Sequence, residues 1–292
     1  MMKKQKVIVQ GYSGCFHEEA AHKYFGELPL EIVPTRTFSD LAHTLVHNPD
    51  DHIAILAIEN SIAGSLLQNY RIIRENHLRV IGEVYLRIEH HMMALSGQSI
   101  DDIYEVHSHP MALYQCLDYL RNYPHIRLVE KEDTALSAKQ ISDNNLNGIA
   151  AIASSVAAEL YDLEILAKGI ETSKINYTRF FIVQDSTQPL VLSDFDKASV
   201  YLRVPHQKGS LVKVLQVISD RNINVSKLQS YPVLGEVNTY YFHLDLEFGD
   251  LDDYEDCIDD LQDVTSMIEV IGLYEKDEVV SLDSNLKVKM IV

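Results

Sequence analysis

The sequence predicts an α/β protein in two parts, a larger domain of short strands alternating with helices and a smaller C-terminal domain of order βαββαβ. Three observations predict it. Short apolar runs alternate with segments of helical apolar spacing as far as residue 183. Turn formers, Asp185-Ser186-Thr187-Gln188-Pro189, then interrupt the rhythm. The charge shifts at the same point: residues 1–190 carry 24 acidic and 16 basic side chains, while 191–292 carry 19 and 9.

The elements follow in order. Lys6-Val7-Ile8-Val9 reads as a strand that ends in Gly11-Tyr12-Ser13-Gly14 and passes into a helix over 17–25. A strand over 30–33 precedes a helix over 38–47, with Phe38, Leu41, Ala42, Leu45 and Val46 on one face. Residues 53–58 are continuously apolar, the pattern of a strand buried on both faces. Glu59-Asn60-Ser61-x-x-Gly64 follows, then a helical pattern to about residue 76. Strands are expected over 78–84 and 90–95, and the run 101–107 leads to Ser108-His109-Pro110 and a helix over 111–121. Helices over 134–142 and 154–160 flank a buried strand over 148–153, and 180–183 closes the domain. Beyond the linker come a strand (198–204), a helix (209–220), strands over 224–231 and 238–248 joined by a turn at 232–236, a helix (250–264) and a last strand (267–274). On the second of these helices Leu251, Tyr254, Ile258 and Leu261 are expected toward the core, while 8 acids among the 14 residues from Asp250 to Asp263 mostly cover its solvent face.

Composition excludes several functions. With 46% hydrophobic and 23% charged residues the chain is an ordinary globular protein. Its 43 acids against 25 bases, a formal charge of −18, leave no basic stripe for nucleic acid or an anionic membrane. No apolar run approaches the roughly 18–20 residues of a membrane span, and no signal-length apolar segment follows the basic start. Cys15, Cys116 and Cys257 are odd in number and form no CxxC pair, so they read as free thiols in a reducing cytoplasm.

Candidate sites are tested against their simplest chemistry. His17-Glu18-Glu19-Ala20-Ala21-His22 is not a zinc motif, because Ala21 occupies the position of the second histidine and His17 and His22 lie about 140° apart on a helix. No metal is expected. Gly11-x-x-Gly14 lacks the third glycine of a dinucleotide fingerprint, so no nucleotide cofactor is expected. It forms either an ordinary turn or a place where backbone N–H groups meet an anion at a helix N-terminus. Asn60 and Ser61 either cap the following helix or face a crevice. Ser108 stands as a cap with Pro110 in the first turn, and Gln115 lies two turns further along the same face. These neutral donors at strand–loop–helix junctions suggest a pocket for carboxylates without many arginines. Thr178 reads by itself as a strand residue, and Arg179 as the partner of an acid.

Together these segments resemble the prephenate dehydratase family in order and spacing over nearly the whole chain. The matching segments are Gly11-x-x-Gly14-x-Phe16 with Ala20-Ala21, then Ile58-Glu59-Asn60-Ser61-x-x-Gly64, then Ser108-His109-Pro110-Met111-Ala112-Leu113-Tyr114-Gln115-Cys116. They continue with Ala150-Ala151-Ile152-Ala153 and the signature Asn176-Tyr177-Thr178-Arg179-Phe180. The C-terminal part resembles the family's regulatory ACT module, with Gly209-Ser210-Leu211 for its GAL turn and Gln229-Ser230-Tyr231-Pro232 for its ESRP element. Departures are Tyr12 for Pro, Cys15 and His17 for Ser or Thr, and the lost Glu and Arg of ESRP.

The resemblance implies a two-lobed, type II periplasmic-binding-protein-like catalytic domain over 5–184, a linker over 185–196, a ferredoxin-like ACT domain over 197–276 and a tail over 277–292. It implies decarboxylating dehydration of prephenate to phenylpyruvate in phenylalanine biosynthesis, without cofactor or metal. Thr178 is the implied residue at the leaving hydroxyl, and Glu59 is either a general acid or a residue that only orients its loop. Asn60, Ser61, Ser108, Gln115, Arg179, Gly11 and Gly14 are the implied substrate-binding residues. Phenylalanine is the implied effector, bound by residues 209–211 and 229–232 of paired modules in a homodimer or homotetramer. Arogenate as substrate and a non-catalytic amino-acid sensor are the rival readings.

Overall fold

The computed structural model describes residues 4–190, 194–233, 235–236 and 239–277. A first lobe begins with β1 (Gln5–Gln10), α1 (Phe16–Phe25), β2 (Leu30–Thr35), α2 (Phe38–His47) and β3 (His52–Asn60). It continues with β4 (Gly64–Ser65), α3 (Leu67–Glu75) and β5 (Leu78–Arg87). The chain crosses into a second lobe through β6 (His91–Leu95), β7 (Glu105–Ser108), α4 (Pro110–Gln115), α5 (Leu117–Leu120) and β8 (Arg127–Glu130). That lobe ends with α6 (Thr134–Asp143), β9 (Ile149–Ala153), α7 (Ser155–Leu160) and β10 (Leu163–Ala167), and the chain returns as β11 (Tyr177–Asp185). A C-terminal unit follows: β12 (Lys197–Arg203), α8 (Ser210–Asp220), β13 (Asn224–Pro232), β14 (Tyr240–Glu247), α9 (Leu251–Val264) and β15 (Met267–Tyr274).

The strand orders identify the architecture. The first lobe runs β2-β1-β3-β11-β5 and the second β8-β7-β9-β6-β10. In each, the strand next to a crossing sits antiparallel between the third strand and the last. Two crossings with this strand order define the two-lobed type II fold, with a cleft between the lobes. The C-terminal unit runs β13-β14-β12-β15, the split-βαβ order. Its β15 also pairs in parallel with β5 at Gly272 and Val80, so one ten-stranded sheet spans the first lobe and the C-terminal unit.

Packing follows the sequence pattern. On one face of the first lobe Leu41 and Leu45 of α2 and Tyr70 and Ile73 of α3 cover Ile8, Leu56 and Phe181. Tyr201, Ile271 and Tyr274 of the C-terminal unit complete that same core. Each large side chain so buried contributes roughly 1.5–3 kcal/mol. Tyr201 also donates its hydroxyl to the Tyr70 carbonyl at 2.6 Å.

Several expectations need correction. The single helix expected over 111–121 is two, broken at Cys116, whose N–H is shared between the Ala112 and Leu113 carbonyls. The edge strands β8 and β10 were not anticipated, because short, largely uncovered strands carry no strong periodicity. On α9 Leu251 is 41% exposed, and Cys257 takes the buried place beside Tyr254 and Leu261. Residues 191–193 of the expected linker, Leu234, Val237 and Asn238 of the expected turn and strand, and 278–292 of the expected tail lie outside the described residues.

Candidate active site

The central feature is the antiparallel pairing of β3 with β11, in which Asn60 faces Thr178 and Glu59 faces Arg179. Consecutive strand residues point to opposite faces, so this register sends Asn60 and Thr178 to one side of the sheet and Glu59 and Arg179 to the other. The first side lines the cleft between the lobes.

Asn60 is fixed in orientation. Its Oδ1 accepts the backbone N–H groups of Ile62 and Ala63, both at 2.9 Å, in the turn after β3. Its Nδ2 therefore donates, to Asn176 Oδ1 at 2.9 Å and to Thr178 Oγ1 at 3.0 Å. Because Thr178 Oγ1 already accepts, its own proton is left to donate toward the cleft. The network continues across the lobes. Gln115 Oε1 accepts from Asn176 Nδ2 at 3.1 Å and from His90 Nε2 at 2.8 Å. His90 is thus the Nε2–H tautomer, and burial lowers its pKa and keeps it neutral.

The cleft has a volume of about 340 Å³. Among the described residues that line it there is no Lys or Arg, while Glu132 and Asp133 are present. Burial raises the Asp133 carboxyl. α1 begins on the cleft at Phe16 and α6 at Thr134, with the Asp133 carboxylate capping α6, and α4 brings Met111 to the cleft with His109 as its cap, so of these helices α1 is the one whose N-terminal dipole favours an anion there. His17 packs edge-on against Phe180 with ring centroids 5.0 Å apart. Its Nε2 accepts from the Ala57 N–H at 3.4 Å, which leaves the proton on Nδ1, and burial pushes the imidazole down to about 4. The Cys15 thiol, also on the cleft, is pushed up to about 12 by burial.

The structure brings together Asn60, Gln115 and Thr178 of the anticipated residues, and it places the others elsewhere. Ser61 does not cap a helix: its hydroxyl bonds Ile175 O and accepts Tyr177 N–H, stapling the start of β11. Ser108 is fully buried and donates to Ile152 O at 2.6 Å, and the cap of α4 is His109. The Gly14 N–H is taken by Glu18 Oε2 at 2.6 Å and so does not offer itself to an anion. Gly14 instead permits close packing of the lobes, since a Cβ on it would lie 2.9 Å from Ala157 Cα. The Gly11 N–H bonds Thr35 O at 2.9 Å. Glu59 pairs with Lys227 Nζ at 2.6 Å on the face away from the cleft. Arg179 is buried in ion pairs with Glu83 and Asp245, so of its two anticipated roles the anchoring pair is the one the geometry supplies.

Residues 209–211 line a separate cavity of about 310 Å³ with Arg203, His206 and Tyr240. Residues 229–232 do not line it, and Tyr231 packs on Tyr201 toward the first lobe. His90 and Asp133 were not anticipated. His90 falls in the strand expected over 90–95, with no role assigned, and Asn176 stands in a matched motif without a role.

The strand orders and the cleft define a two-lobed α/β domain of the type II class, with neutral donors gathered between its lobes. The chain belongs to the prephenate dehydratase family, whose model matches residues 7–188. It is 34% identical over 284 residues to an Arabidopsis thaliana chloroplastic arogenate dehydratase/prephenate dehydratase, covering 93% of this chain and 73% of that protein. A solved prephenate dehydratase from Arthrobacter aurescens in complex with L-Phe shares the fold, with TM-score 0.81, 24% identity, and 92% of this chain and 89% of that one covered. A protein described as a novel type of quorum quenching acylase also superposes, with TM-score 0.83, 26% identity, and 93% and 98% covered. The chain is thus a carbon–oxygen lyase by family.

Proposed function

We propose that this protein dehydrates and decarboxylates prephenate to phenylpyruvate, with Thr178 at the departing hydroxyl. The observation that carries the reading is the Asn60–Thr178 contact, in which the threonine hydroxyl accepts and, being on the cleft, keeps its own proton to donate. As the bond to the carboxylate carbon breaks, its electron pair enters the ring and expels the C4 oxygen, which leaves as water once protonated. The aromatic ring drives the step. Thr178 is too weak an acid to supply that proton outright, so it donates a hydrogen bond to the developing charge and relays a proton from water. Gln115, held by Asn176 and His90, and the N-terminus of α1 hold the carboxylates. Acyl-bond hydrolysis finds less support, because the cleft thiol of Cys15 is pushed up to about 12 and is a poor nucleophile.

Arogenate is a second reading with an observation of its own. Glu132 and Asp133 on the cleft suit an ammonium group where prephenate has a carbonyl. The C-terminal unit serves as an ACT module in this reading, and the cavity at residues 209–211 is one half of a phenylalanine site completed by a second copy. Purified protein incubated with prephenate and with arogenate, with phenylpyruvate and phenylalanine followed, tests both substrates. Turnover of neither supports a sensor instead. Titration with phenylalanine that produces no change in activity or oligomer size removes the regulatory part.

A further inference from the structure

The face of the β3–β11 pair opposite the cleft is covered by the C-terminal unit through charged contacts. Arg179 Nε donates to Glu83 Oε2 at 2.7 Å, Nη1 pairs with Asp245, and Nη2 reaches the Tyr274 hydroxyl at 3.2 Å. The side chains of Arg179, Glu83 and Asp245 are at most 2% exposed. Asp245 also accepts from Ser199 Oγ at 2.6 Å and from His243 Nε2 at 2.9 Å. Burial works to raise its carboxyl, but Arg179 and His243 outweigh it and hold the group well below the usual range. Opposite Arg179 on β3, Glu59 is gripped by Lys227 Nζ at 2.6 Å, and the same Nζ reaches Ser65 Oγ at 2.9 Å, tying β3 to β4.

Buried ion pairs are poor stabilisers, since apolar replacements are often as stable, but they do fix geometry. Here each held residue is the chain neighbour of a cleft residue: Glu59 precedes Asn60, and Arg179 follows Thr178, on rungs that face each other. We propose that Lys227 and Asp245 of the C-terminal unit are positioning residues of the active site, which set the Asn60–Thr178 contact by clamping Glu59 and Arg179 from behind. Glu59 is then the anchor of this clamp and not a proton donor. The inference rests on the dehydratase reading, in which Asn60 and Thr178 meet the substrate. A displacement of about 1 Å at such a pair lowers turnover by about 10²-fold.

The test is a charge exchange in the full chain. Glu59→Lys and Lys227→Glu each lower kcat/KM by about tenfold or more, and the double exchange recovers most of the loss. Lys227→Met, which removes a charge without adding one, lowers kcat about tenfold with a native thermal transition. In an Asn60→Ala background the same Lys227→Met has little further effect, because its route to the substrate is gone. A double exchange that folds but stays as inactive as Glu59→Lys overturns the proposal and returns Glu59 to the role of acid. Full activity of Lys227→Met overturns it as well, as does an undiminished effect in the Asn60→Ala background. If the unaltered protein turns over neither prephenate nor arogenate, it is the dehydratase reading that fails, and the wild-type assay shows this separately.

Discussion

Replacing Thr178 with valine removes one hydroxyl and little else. The side chains are nearly isosteric, and Thr178 is 8% exposed, so no large cavity or new solvent contact follows. Asn60 Nδ2 loses Thr178 Oγ1 but keeps Asn176 Oδ1 at 2.9 Å and Tyr177 O at 3.3 Å. The fold therefore loses about 1 kcal/mol, the net worth of one hydrogen bond. Catalysis loses more under the proposed mechanism, in which the hydroxyl is the donor directed at the departing oxygen. Removing one preorganised donor of this kind costs about 2.7–4 kcal/mol, or about 10²–10³ in kcat. KM should stay within about threefold, since the bond strengthens chiefly as charge develops. Phenylpyruvate formation from saturating prephenate, measured beside a urea unfolding curve, separates the two effects. Thr178→Ser, which keeps the hydroxyl, should retain most of the rate. A valine variant with at least a fifth of the wild-type kcat refutes the assignment, and a loss confined to KM makes the hydroxyl a ground-state contact only.

Three further perturbations probe the scaffold. In Gly272→Ala the new Cβ collides with Val80 O at the junction of β15 with β5, so equilibrium unfolding should show a loss of roughly 1–3 kcal/mol. Gly14→Ala combines a φ of +85° with Ala157 Cα at 2.9 Å and should reduce both stability, by about 1–3 kcal/mol, and kcat/KM, because it wedges the lobes apart. His17 is neutral when folded, with its pKa pushed from 6.5 to about 4 by burial, so below pH 6.5 the unfolded chain takes up the proton first. Stability should fall by up to about 3 kcal/mol between pH 6.5 and 4, and denaturant midpoints of His17→Asn across that range should show a shallower slope.

The strands and helices were legible where one period dominated. The uniformly apolar stretch 53–58 and the stripe of Leu41, Ala42 and Leu45 read directly as β3 and α2, because one buried face dictates each pattern. The site was legible in part. Thr178, Asn60 and Gln115 meet through side-chain hydrogen bonds over 61 to 118 residues of separation, which only the family resemblance could suggest. Ser61 and Ser108 stood in the same motifs, yet their hydroxyls are spent on backbone carbonyls, and a motif does not distinguish a residue that binds from one that holds its neighbours.

The largest gap concerned the boundary between the two parts. On β14 the alternation sets Leu244 and Leu246 against His243 and Asp245, a pattern that sequence reading assigns to one core face and one wet face. Both faces are buried, since the polar one meets Arg179 and Tyr70 of the first lobe. Lys227 likewise occupies an inward position of β13, whose exposure alternates along its length. The linker expected at 185–196 marks a break in the sequence pattern, and it carries no information about which faces close over it. The formal charge of −18 misleads in the same way. The surplus acids of α9 lie largely exposed, with Asp256 and Asp260 paired to Arg221, and exposed charges are screened beyond about 8 Å at physiological salt. The charges nearest the cleft are Glu132 and Asp133 on its wall and the ion pairs of Arg179 and Glu59 behind it. Net charge therefore argues against nucleic acid in the sequence but says little about the proposed substrate anion, whose binding in this reading depends on neutral donors in front of the β3–β11 rung and on the ion pairs behind it.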